Sequence, residues 1–126
     1  FEVLGILSSA RGYKLAWEIN QALDIQLIKQ PDLVVGFKNN EEKSFSFYAH
    51  ETQLNRLKLF KNRPSDQESG KYFLIPEFPH YDFIILAAME EQPADQLVRH
   101  LKSIPSVELV ASIPLEGLKS KYNFIF

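Results

Sequence analysis

The sequence predicts an α+β domain built on a β-α-β-β-α-β core, with a mostly antiparallel sheet, an extra central β-hairpin and two helices on one face. Three observations point there. The chain opens with an extended stretch that is apolar on both faces and runs into a segment of helical period. Its middle alternates apolar and polar residues in short runs separated by polar turns. Its last third repeats the opening order of strand, helix and strand. The 126 residues suit a single domain, and 45% apolar residues are enough for a core without staples.

Residues 1–7 read as a strand, with Phe1, Val3 and Leu7 on one face and Leu4 and Ile6 on the other. Glu2 and Gly5 interrupt it. Ser8 and Ser9 are helix-start residues, since a serine hydroxyl accepts an unpartnered first-turn N–H. Leu15, Ile19 and Leu23 follow at i, i+4, i+8 with Ala16 and Ala22 beside them, which predicts an amphipathic helix. Lys14, Glu18 and Gln21 take its wet side, Lys14 and Glu18 as an i, i+4 pair.

Residues 25–28 look extended, Pro31 breaks them, and 33–37 resume a strand. A polar turn at 38–43 leads to a half-buried strand over 44–49, with Phe45 and Phe47 on one face and Ser44, Ser46 and Tyr48 on the other. Residues 54–60 are its hairpin partner. Residues 61–70 carry no large apolar side chain and predict an exposed, flexible loop. A short strand over 71–75 ends at Pro76. The next strand, 81–89, is apolar on both faces from Phe83 onward.

Pro93 suits the first turn of a second helix, where Leu97, Leu101 and Ile104 lie at i, i+4, i+7 until Pro105. Residues 107–113 alternate as a strand, and 114–119 predict one helical turn. Without the central hairpin this order is the ferredoxin-like arrangement. Both helices then cover one sheet face, yet strands 1–7 and 83–89 need a cover on each side. The C-terminal segment 114–126, the extra hairpin or a second copy of the chain would supply it. A second copy makes a homodimer the expected assembly.

Composition excludes several classes. The net charge is −2, from 14 basic and 16 acidic residues, and no basic stripe marks a nucleic-acid or membrane surface. No apolar stretch approaches the ~20 residues that span a bilayer. There are no cysteines, which rules out disulfides and thiolate chemistry and fits a reducing cytoplasm. The chain starts within a strand pattern without an initiator methionine, as a trimmed N-terminus would.

Candidate chemistry is sparse. Glu77 and Asp82 bracket a proline-stiffened turn, and paired carboxylates can serve acid–base catalysis across a cleft. Without a pocket around them they are better read as corner residues, Pro76 fixing φ and Glu77 accepting backbone N–H groups. His80 and Asp82 share a strand face, but His50 and His100 are remote and no HExxH spacing occurs, so no metal and no cofactor is expected. No serine stands in a GxSxG context. The stretch Ser8-Ser9-Ala10-Arg11-Gly12 joins a strand to a helix, where helix-start amides bind anions and Arg11 adds charge. It is neither GxGxxG nor a Walker loop. Ser8, Ser9 and Arg11 are therefore the candidate ligand residues. Tyr13, Trp17 and Asn20 form a stripe that reads as core edge, pocket wall or interface.

At Ile75-Pro76-Glu77-Phe78-Pro79-His80-Tyr81-Asp82-Phe83 the chain resembles the bacterial IPExxxVDY family. Ile75, Pro76, Glu77 and Asp82 match the motif, Tyr81 stands for its valine and Phe83 for its final tyrosine. The likeness extends through residues 1–23 and 118–126. It implies a complete small domain and transfers no catalytic residue. The segment 83–113 is also similar in layout to ACT-type modules, which sense small molecules. The sequence thus yields a non-enzymatic cytoplasmic domain acting through homodimerisation or protein interaction. An ACT-like sensor of an anionic metabolite is the alternative, and an enzyme using Glu77, His80 and Asp82 is the third reading.

Overall fold

A computed structural model describes residues 1–65 and 71–125. In chain order the elements are β1 (Glu2–Ser8), α1 (Gly12–Leu23), β2 (Ile28–Lys29), β3 (Leu33–Gly36), β4 (Glu42–Phe45) and β5 (Phe47–Glu51). Then come β6 (Asn55–Lys61), β7 (Phe83–Met89), α2 (Ala94–Lys102), β8 (Val107–Ser112) and α3 (Lys121–Phe124). Six strands form one sheet in the order β2-β5-β6-β7-β1-β8, and β3 and β4 form a separate two-stranded sheet. Every pairing is antiparallel.

The α+β class and antiparallel sheet agree with the sequence. The sheet is nevertheless not the four-strand sheet of a plain ferredoxin-like or ACT-like unit. Two further strands extend it and a third helix follows β8. No helix among the described residues is long and apolar enough to cross a membrane.

The two faces carry separate cores, as the two-faced strands require. On one face Leu4, Ile6, Leu57, Leu59 and Ile85 pack beneath Leu15, Ala16 and Ile19 of α1 and Leu97 and Leu101 of α2. The helix spacings are therefore those read from sequence, although Ala22 is exposed. Glu18 turns to the Ser106 hydroxyl, which donates to it at 2.8 Å, and is not within ion-pair distance of Lys14. On the other face Val3, Phe60, Ile84 and Ile113 meet Val35 and Phe45 of the small sheet, Leu74 and Ile75, and Leu118 and Phe124. The chain's own hairpin and C-terminal segment thus cover the second face. A second copy is not required there, so the observation behind the homodimer expectation is met within one chain.

Four local expectations need correction. Residues 44–49 are not one strand. Phe45 and Phe47 share a face, so the run looks continuous, but the chain changes sheets at Ser46: β4 pairs with β3, and β5 with β6 and β2. Residues 71–75 form no strand, because Leu74 and Ile75 are tied by Asn62 rather than by a neighbouring ladder. The helical turn placed at 114–119 lies later, at α3 (Lys121–Phe124). Of the exposed loop expected at 61–70, Asn62 is fully buried and Pro64 is buried, and residues 66–70 lie outside the described residues.

Candidate functional site

Two connections meet at the end of the sheet where β1 stops and β7 begins. They are the corner ahead of β7 and the loop ahead of α1. Asp82 joins them by accepting the Ser8 N–H at 2.9 Å.

The corner is built around Asn62. Its backbone N–H donates to the Asp82 carbonyl (3.0 Å) and its carbonyl accepts from Leu74 N–H (2.9 Å). Its side-chain oxygen accepts from Ile75 N–H (2.9 Å), and its amide donates to the carbonyls of Phe78 (3.1 Å) and Tyr81 (2.8 Å). One buried side chain thus satisfies three backbone groups of a segment without regular structure, as burial demands. Tyr81 lies flat on β1: a Cβ on Gly5 would sit 2.5 Å from its ring. Only glycine permits that approach.

Glu77 accepts from the Ser120 hydroxyl (2.8 Å) and the Ser120 N–H (3.3 Å), tying the corner to the C-terminal segment. Burial pushes its carboxyl up. Hydrogen bonds from its own N–H, from Ser120 and from the Lys119 N–H outweigh this, so its pKa lies below the ordinary value. The N–H groups that its carboxylate accepts come from the C-terminal segment as well as from its own turn. His80 is exposed, its ring 4.3 Å from that of Tyr81. Glu77 faces Ser120 while Asp82 faces Ser8, so the motif's carboxylates point to different partners and do not converge with His80. Among the described residues no cluster of three or more histidines and carboxylates could hold a metal.

The loop ahead of α1 is different. Ser8 and Ser9 do not cap the helix. The buried Ser8 hydroxyl donates to the Ser106 carbonyl (2.8 Å) and accepts from Ala10 N–H (3.2 Å). The helix starts at Gly12, and its capping position is Arg11, in extended backbone with no side-chain cap. The first bonded amide is that of Leu15, to the Arg11 carbonyl at 3.0 Å. The amides of Gly12, Tyr13 and Lys14 have no intrahelical acceptor, as at any helix start.

In front of this helix start lies a cleft of about 570 Å³, on the helix-covered side of the sheet. Ser8, Ser9, Arg11 and Tyr13 form one wall, Ser46, Tyr48, Lys61, Arg63 and Ser65 the other, and Asp82 and Phe83 its base. Among the described residues Arg11 and Lys61 have no carboxylate within ion-pair distance. Among the same residues Arg63 has only the Phe73 ring, 5.7 Å away. Asp32 sits beyond Ser65, whose hydroxyl donates to it at 2.8 Å. Burial raises the Asp32 pKa, but the bonds from Ser65 and Lys29 outweigh this and hold it below its usual value.

The structure therefore places Ser8, Ser9 and Arg11 together in a cleft and brings Tyr13 to it. Asn20 is occupied elsewhere: its side chain accepts from Leu27 N–H (2.7 Å) and donates to the Leu27 carbonyl (3.4 Å). Trp17 is not core edge but 62% exposed. Sequence reasoning missed Lys61, Arg63 and Asn62, which sit in what reads as a featureless polar loop. A basic pair three residues or fewer from a strand end was the available signal for the first two. Nothing in the sequence marks Asn62.

Comparison with family models, with curated proteins and with solved structures finds no match. The cleft is read from its own geometry.

Proposed function

We propose that this domain is a non-enzymatic binding module that takes a small anion in the cleft ahead of α1. One observation carries the reading. Arg11, Lys61 and Arg63 line a concave site without carboxylate partners among the described residues, beside a helix start with no side-chain cap. Helix-start amides and guanidinium groups both favour anions, and a cleft with low-dielectric walls strengthens that attraction. The separation of Glu77 from Asp82 supports the absence of catalytic machinery at the corner. The test is thermal denaturation with phosphate, sulfate, amino acids and carboxylates. Anions are expected to raise the midpoint in a salt-sensitive way, and Arg11→Gln to abolish the rise. Equal midpoints with every anion would end the reading.

Two finer statements belong with it. The set β1, α1, β6, β7, α2 and β8 is a ferredoxin-like core to which β2 and β5 were added. The neighbour order β6-β7-β1-β8 and the packing of α1 and α2 on one face support this. Membership of the IPExxxVDY family is proposed on the sequence motif alone, Ile75, Pro76, Glu77 and Asp82. A second functional reading, self-association, is favoured by Tyr13 and Trp17, 67% and 62% exposed one turn apart on α1. Light scattering coupled to sizing checks it. A dimer mass that Trp17→Lys reduces to monomer supports this reading, and a monomer mass at every concentration removes it.

A further inference from the structure

We propose that the ligand is a phosphomonoester: its phosphoryl group sits among Arg11, Lys61 and Arg63, and its organic part lies against the ring of Tyr13. This rests on the anion reading of the cleft and adds the chemical class of the ligand.

Charge is the first argument. Among the described residues three cations line the cleft against one carboxylate, Asp82, which already accepts the Ser8 N–H. The positive excess exceeds what one carboxylate ligand would neutralise, and the helix start adds about half a charge more. A phosphomonoester carries about −1.5 to −2 at neutral pH.

The placement of donors is the second. Arg11 comes from the loop ahead of α1, Lys61 from the end of β6 and Arg63 from the bend after it. Donors arriving from separate stretches of chain suit the three terminal oxygens of a phosphoryl group better than the two coplanar oxygens of a carboxylate. Ser9 and Ser46 line the same walls and add hydroxyls.

Size and the rings are the third. The volume, about 570 Å³, lies within the range of sites that enclose organic ligands and exceeds what a bare phosphate needs. Tyr48 is already engaged, with the Lys29 ammonium 5.9 Å from its ring centre and its edge 3.6 Å from where a Gly12 Cβ would sit. Phe83 is buried. Tyr13 lines the cleft, is 67% exposed and is in no ring or cation pair among the described residues. Its ring is the one left to meet the organic part, by stacking.

Calorimetric titration of the protein with inorganic phosphate, phenyl phosphate and benzoate tests this. Phenyl phosphate should bind about tenfold more tightly than inorganic phosphate and at least about tenfold more tightly than benzoate, about 1.4 kcal/mol in each case. Tyr13→Ala should remove the advantage of the phenyl group and leave inorganic phosphate unchanged. Affinity for phenyl phosphate should fall as pH drops through about 6, where the phosphoryl group gains its second proton. Benzoate binding as tightly as phenyl phosphate would overturn the phosphoryl assignment while leaving the anion reading standing. An unchanged phenyl advantage in Tyr13→Ala would overturn the role of the ring. Absence of binding by all three probes would overturn the anion reading itself.

Discussion

The corner ahead of β7 and the loop ahead of α1 lie at the same end of the sheet and differ in how their polar groups are used. In the corner, Asn62 answers Ile75, Phe78 and Tyr81, and Glu77 answers Ser120. These groups are partnered from within the chain. In the loop, the N-terminal amides of α1 have no side-chain cap and three cations face a cleft. The contrast teaches that the segment with the more suggestive residues spends its two carboxylates on hydrogen bonds to other parts of the chain. The plainer serine-rich loop is the one left with capacity for a ligand.

If the corner is structural, its variants should lose stability. The largest effect is expected for Asn62→Ala. It leaves the buried Ile75 N–H and Tyr81 carbonyl without their side-chain partner, removes a donor from the Phe78 carbonyl, and should cost about 3–5 kcal/mol in urea denaturation. A cost within that of an ordinary surface change would break the comparison. Gly5→Ala should follow at about 2–3 kcal/mol, because the new Cβ would lie 2.5 Å from the Tyr81 ring. Most of that cost should vanish when the substitution is made in a Tyr81→Ala background, a double-mutant test of the contact itself.

Glu77→Gln should cost less, about 1 kcal/mol, since the carboxylate is largely exposed. Its pH signature is sharper than its size. The folded-state pKa lies below the free value of 4.5, so its contribution is fully present above pH 4.5 and is lost as pH falls through the folded value. The wild type should show this acid-side loss in pH-dependent denaturation, and Glu77→Gln should show less of it.

Much of this architecture was legible in the sequence because periodicity reports burial. Leu15 and Ile19 marked the inner face of α1, and the unbroken apolar run after Phe83 marked a central strand covered on both sides. The corner's partners were not legible. Asn62 and Ser120 are polar residues far from residues 74–82 in sequence, and a hydrogen bond between distant segments leaves no local pattern. The sheet change at Ser46 was hidden because Phe45 and Phe47 keep the same parity across it. At the cleft, Ser8, Ser9 and Arg11 were legible from the strand-to-helix junction. Lys61 and Arg63 were not, because only the β5–β6 hairpin and its pairing with β7 carry them to that junction.

The measurement that tests the central contrast most directly is amide chemical-shift mapping during a phosphate titration of the ¹⁵N-labelled protein. The account predicts saturable shifts at Gly12, Tyr13 and Lys14 with little change at Leu74, Ile75 and Phe78, and loss of those shifts in Arg63→Gln with its fold intact. Shifts centred on the corner, or none that saturate at the start of α1, would contradict it.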